Sequence, residues 1–80
     1  MTKTEMKKKV ALLSSKLDDQ WYTIKKEEEV DSGSSTLWEI KMCYYAMTEV
    51  IRTLGGQFNR DKDGKHKVFL FDVSATAEDI

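Results

Sequence analysis

Residues 36 to 54 carry apolar side chains on two separate helical faces, and no other stretch of the chain does. Leu37, Ile40, Tyr44, Met47, Ile51 and Leu54 recur at alternating spacings of three and four, which gathers them on one side of a helix with Cys43 and Val50 at its margin. Trp38, Met42 and Tyr45 repeat at helical spacing on nearly the opposite side. A helix with two apolar faces has to lie between two layers or present one face for recognition. Here the expectation is a helix over 37–54 acting as the central layer of the fold.

The flanking segments supply something to cover each face. Residues 4–30 form a first helix, with Met6, Val10, Leu13, Leu17, Trp21 and Ile24 on a single stripe and lysines and acids elsewhere. Thr2 or Thr4 is available as its cap, and Glu27, Glu28 and Glu29 sit where the helix dipole disfavours them. Asp31 to Ser35 make a polar connection short enough to leave the two helices antiparallel. Thr36 with Glu39 three residues on reads as a capping box, and Gly55 directly after Leu54 as a helix stop. From Gln57 onward the period becomes two, and Asp63-Gly64 is the residue pair that a two-residue type I′ hairpin demands. That loop makes Phe58 face Phe69, Arg60 face Lys67 and Lys62 face Lys65, with Phe71 and Val73 continuing the same side. The phenylalanines then cover Trp38, Met42 and Tyr45, and Val68 and Leu70 point outward. The expected fold is α+β in the order ααββ: two antiparallel helices, a hairpin over 57–73, and a mobile acidic tail over 74–80.

Size and charge limit the functional classes. Eighty residues form one domain, 1–80, and a chain this short buries only roughly 60% of the surface its unfolded state exposes. Oligomerisation or a partner would add to that thin core, so a homodimer is a possible state. The net charge of −1 gives the molecule no bulk attraction to nucleic acid or acidic membranes. One cysteine rules out an internal disulfide, and the apolar run Val10–Leu13 is too short for a signal peptide or a membrane span, which points to a cytoplasmic protein.

Four constellations bear on chemistry. Asn59, Asp61, Asp63 and Gly64 match the opening of a calcium-binding EF-hand loop, but the position that requires a bidentate glutamate holds Leu70. Cys43 and His66 are the only soft or imidazole ligands, too few for a structural zinc site. Cys43, at the margin of the stripe, reads as a small buried hydrophobe. His66 lies between Lys65 and Lys67, which should keep it exposed, and no nucleophile or phosphate loop accompanies it. No metal, cofactor or catalytic residue is therefore expected, and the chain reads as a non-enzyme. The fourth constellation is the basic hairpin tip, Arg60, Lys62, Lys65 and Lys67. Like charges facing across a ribbon are costly and suggest an anionic partner, the alternative being a solvated tip whose charges serve solubility. With Val68 and Leu70 on the outer side, these six residues make an apolar centre with a charged rim, and the unpaired edge of strand 65–72 offers a place for a partner strand.

A helix that ends in glycine and is followed by a basic hairpin is similar to the recognition helix and wing of winged-helix DNA-binding domains, over 37–71. The third helix of such domains is missing, so direct nucleic-acid binding is the second reading. Over its whole length the proline-free, lysine-rich chain resembles the small accessory proteins encoded by phages and prophages of Gram-positive bacteria, anti-CRISPR inhibitors among them. No individual motif carries that resemblance. It implies a non-catalytic inhibitor in the host cytoplasm that docks on a larger nucleic-acid-processing protein, its basic patch meeting an acidic surface of the target.

Overall fold

A computed structural model describes all residues from Met1 to Ile80. The helices and the first hairpin follow the expected order, and a third strand completes an antiparallel sheet. Helix α1 spans Lys3–Val30, α2 Ser35–Thr53, and strands β1, β2 and β3 span Gln57–Arg60, His66–Leu70 and Val73–Thr76. A 3-10 turn, Ala77–Asp79, ends the chain.

Local chemistry explains the boundaries. Thr2 caps α1, its Oγ1 accepting from the Glu5 amide and donating to the Glu5 carboxylate, both at 3.1 Å. The helix continues to Val30 through its three glutamates; Glu28 meets Lys25 and, across the interface, Lys41 of α2. Helix α2 starts earlier than the Thr36–Glu39 box predicts. Asp31 Oδ1 accepts from the Gly33 amide and turns the chain at once, so Ser34 is already extended and caps the Leu37 amide at 3.0 Å. At its other end Gly55 takes φ +85°, and the Gly55 and Gly56 amides bond back to Arg52 and Ile51 as a left-handed cap requires.

The layer order differs from expectation. Helix α1, rather than α2, is the central element: it packs on α2, on β2 and β3, and on the 3-10 turn, whereas α2 meets the sheet mainly at β1. The sheet-facing half of α1 is formed by Ala11, Ser14 and Asp18 beside the apolar stripe. Small and polar residues let the strands approach closely, and Ser14 Oγ donates to the Ala75 carbonyl of β3 at 2.8 Å. Val10, Ala11, Leu17 and Ile24 join Leu37, Tyr44 and Ile51 of α2 and Val68, Leu70, Val73 and Ala75 of the sheet in one buried cluster. Ile40 and Met47 pack against it half-buried. No helix is long and apolar enough to cross a membrane.

The hairpin register is shifted by one residue. Phe58 pairs with Val68, Asn59 with Lys67 and Arg60 with His66. The loop is three residues long: the Gly64 amide bonds to the Asp61 carbonyl, Asp61 N–H to the Lys65 carbonyl, and Gly64 takes φ +81°. This is a type I turn followed by a bulge glycine, secured by Asp61 Oδ1, which accepts from the Asp63 and Lys65 amides at 2.9 Å each. A one-residue slip inverts the faces of β2. Val68 and Leu70 are accordingly buried, while Phe69 and Phe71 are exposed. The tail expected to be mobile instead forms β3 and the 3-10 turn, reached through a two-residue turn with positive φ at both Phe71 and Asp72. Strand β2 is thus the middle strand, paired on both edges.

Candidate functional site

The shifted register turns His66 inward. Its Nδ1 lies 2.9 Å from Asp18 Oδ1 on α1, the same oxygen accepts the His66 backbone N–H at 2.6 Å, and its Nε2 lies 2.8 Å from the Tyr44 hydroxyl on α2. With Nδ1–H donated to the carboxylate, Nε2 accepts from the phenol. The Tyr44 oxygen then accepts from Arg60 Nη1 at 3.2 Å. Asp18, His66 and Tyr44 are all buried, Asp18 at the floor of an open cleft beside Asp61 and Lys65, so this chain of hydrogen bonds fixes α1, α2 and the sheet to one another and ends at the surface on Arg60.

Arg60 is held on two sides. Its guanidinium carbon sits 3.6 Å from the Trp21 ring centroid, within stacking distance, and Lys25 Nζ lies 4.7 Å from the same centroid. Trp21 is itself confined: its ring is 5.4 Å from that of Tyr44, and Cδ1 lies where a Cβ on Gly64 would approach to 2.6 Å. Gly64 therefore serves both the left-handed turn and the placement of the indole. Beside Arg60, an open groove of about 470 Å³ is lined by Trp21, Tyr45, Thr48, Arg52, Phe58 and Asn59. Arg52 lies over the Phe58 ring at 5.1 Å and is paired with Glu49 at 2.9 Å. Arg60 has no carboxylate within ion-pair distance.

The groove runs into the uncovered face of α2. Because the sheet packs on α1, Trp38, Met42 and Tyr45 stand 64%, 52% and 55% exposed, at the spacing the sequence predicts for one face. Nothing in the chain covers them.

The six residues expected to contact a partner do not form one patch. Arg60 lies on the inner side of the sheet over Trp21; Lys67 is on the outer side, opposite Asn59 and Thr76; Lys62 and Lys65 belong to the turn. Val68 and Leu70 are core residues and are removed from the contact set by burial. The like-charge pairs Arg60–Lys67 and Lys62–Lys65 are not register partners, so the cost attributed to them does not arise. His66 is buried rather than exposed, and Cys43 is exposed rather than buried. The Asp61 carboxylate, which matches a calcium-loop position only in sequence, holds the hairpin turn through two backbone amides. Trp21, Asp18 and Tyr44 were legible only as helix residues; the one available signal was the charge of Asp18 beside an apolar stripe.

No family model matches the chain, and no curated protein or solved structure matches it.

Proposed function

We propose that this chain is a non-catalytic module that docks on another protein through the α2 face of Trp38, Met42 and Tyr45 and the adjoining Arg60 groove. The observation that carries this reading is the exposed Trp-Met-Tyr stripe, which the fold itself does not cover. Trp, Tyr, Met and Arg are the residue types enriched at interfaces, Trp, Tyr and Arg above all where the binding energy concentrates. The unpaired Arg60 favours an acidic surface on the partner. The hydrogen bonds of Asp18, His66 and Tyr44 support the non-catalytic half, because each of these groups is engaged by the next and buried. In cellular terms the reading is an inhibitor that occupies an acidic surface of a nucleic-acid-processing protein, the role implied by the resemblance to phage-encoded accessory proteins.

The test compares the intact chain with the double variant Trp38→Ser/Tyr45→Ser. Expected is an unchanged thermal melt, loss of a heterologous protein that the parent captures, and salt-sensitive one-to-one binding when that protein is purified. A parent that sediments as a homodimer dissociated by the same double substitution, with no other protein bound, would replace docking by self-association. Salt-sensitive binding of single-stranded DNA through the stripe would favour the nucleic-acid reading instead.

A further inference from the structure

We infer, building on the docking role proposed above, that Arg60 is a receptor for one carboxylate: the partner inserts an Asp or Glu side chain into the groove between Trp21, Tyr45 and Phe58, where the guanidinium takes it edge-on. Of the five N–H donors of Arg60, one is spent on Tyr44. The stack on Trp21 covers a face of the guanidinium plane and leaves its edges free, and the edge is the part that matches a carboxylate in a two-point contact.

The site is built before any ligand arrives. A free surface arginine samples many rotamers and pays for being fixed when it binds. Here the indole orients the plane, the Tyr44 oxygen positions Nη1, and His66 and Asp18 fix that oxygen from the buried side. These groups come from α1, α2, β1 and β2, so the guanidinium is aimed by the whole fold rather than by its own loop. The other arginine of the chain, Arg52, already has Glu49 as its carboxylate, and Lys25 has Glu28. Arg60 alone in this groove has its charge uncompensated.

The same geometry argues for a carboxylate over the phosphates of single-stranded nucleic acid. Such strands are held by bases stacking on open aromatic faces. Trp21 has Arg60 and Lys25 over its ring, and Phe58 has Arg52, so of the groove's aromatic rings Tyr45 is the exposed one. The net charge of −1 adds no long-range attraction for a polyanion.

The two arginines allow a direct test, because their side-chain Nε–Hε groups give two resonances in a nitrogen-15 spectrum of the full chain. The probes are a capped peptide of alternating glutamate and glycine, and a twelve-residue oligothymidine. Expected is a saturable shift of the Arg60 signal with the peptide, a stationary Arg52 signal, and no saturable shift with the oligonucleotide. Arg60→Lys, which keeps the charge and loses the fork, should weaken the peptide at least about tenfold, the scale of a lost hydrogen bond to a charged group. An Arg60 signal that stays still, or Arg52 and Arg60 signals that move together, would overturn the assignment, as would tighter binding of the oligonucleotide. If Arg60→Lys lowers the melt, the parent titration decides alone. Trp38→Ser/Met42→Ser, which leaves every residue of the groove in place, separates the two proposals: it abolishes docking and leaves the Arg60 titration intact, while an inert Arg60 in a chain that still docks removes only the carboxylate site.

Discussion

Truncating Val68 and Phe69 in turn measures which face of β2 is the core face. Val68 is fully buried between Phe58 of β1 and Ala75 of β3, so Val68→Ala removes two methyl groups and leaves a void. At about 0.8 kcal/mol for each methyl, plus ~24 cal/mol per Å³ for a cavity on the order of 50 Å³, the loss is roughly 2–3 kcal/mol. A domain of this size shifts its melting temperature by about 4–8 °C per kcal/mol, so the drop should be about 10–20 °C. Phe69 is 48% exposed on the outer face, flanked by Gln57 and Ser74. Its truncation leaves no cavity and forfeits about half of what a buried ring contributes, roughly 1 kcal/mol. The assay is a circular-dichroism melt of each variant with a urea titration to confirm a two-state transition. In the register with Phe58 opposite Phe69 the order reverses, with Phe69→Ala costing about 3–5 kcal/mol and Val68→Ala very little. That reversed order would refute the inward placement of Val68, and with it that of His66 two residues earlier on the same strand.

Gly64→Ala puts a Cβ 2.6 Å from Trp21 Cδ1 at a residue with φ +81°, so urea titration should show a loss of about 2–4 kcal/mol together with altered indole fluorescence. Asp18→Asn keeps the shape but replaces the charged acceptor of two short hydrogen bonds, and the same titration should show a loss of about 1–3 kcal/mol. The Thr76 amide, donating at 2.8 Å, and then Lys7 hold the Asp79 carboxyl below its ordinary value of 3.8. A depressed carboxylate contributes above its unfolded pKa and is lost as pH falls through the lower folded one, so Thr76 amide exchange should rise only below pH 3.8, and Asp79→Asn should abolish that step. Phe71→Asn/Asp72→Gly places residues that favour positive φ in a turn that already has it, and should raise stability by about 1 kcal/mol in a thermal melt.

Both helices were legible because they depend on signals that stay local. The stripe of α1 and the glycine stop of α2 need no knowledge of the rest of the fold. Helix α2 began two residues before its apparent box only because Asp31 turns the chain first. Strand β3 was hidden for a compositional reason. Val73, Ser74, Ala75 and Thr76 do alternate between buried and half-buried, yet Ala75 is too small to register as apolar, and the turn before it contains neither glycine nor asparagine. The second face of α1 was hidden likewise, since Ala11, Ser14 and Asp18 look like gaps in a stripe and are in fact the surface on which the sheet rests.

The candidate site was illegible for a different reason: its members are adjacent only once the register is known. Two turns compete for residues 61 to 65. Asp63-Gly64 as a two-residue loop satisfies glycine and aspartate, but it sets Arg60 against Lys67 and Lys62 against Lys65. The three-residue loop also uses Gly64 with positive φ, gives Asp61 Oδ1 two amides to accept, and separates both like-charge pairs. It further brings His66 to Asp18, 48 residues earlier in the chain, so a local gain at the turn and a buried hydrogen bond favour the same register. Arg60 then stands opposite His66 in place of Lys67, hydrogen-bonded to the Tyr44 phenol, stacked on Trp21 and without a counter-charge. The register that completes the core is therefore also the one that leaves this guanidinium free to recognise a carboxylate from outside.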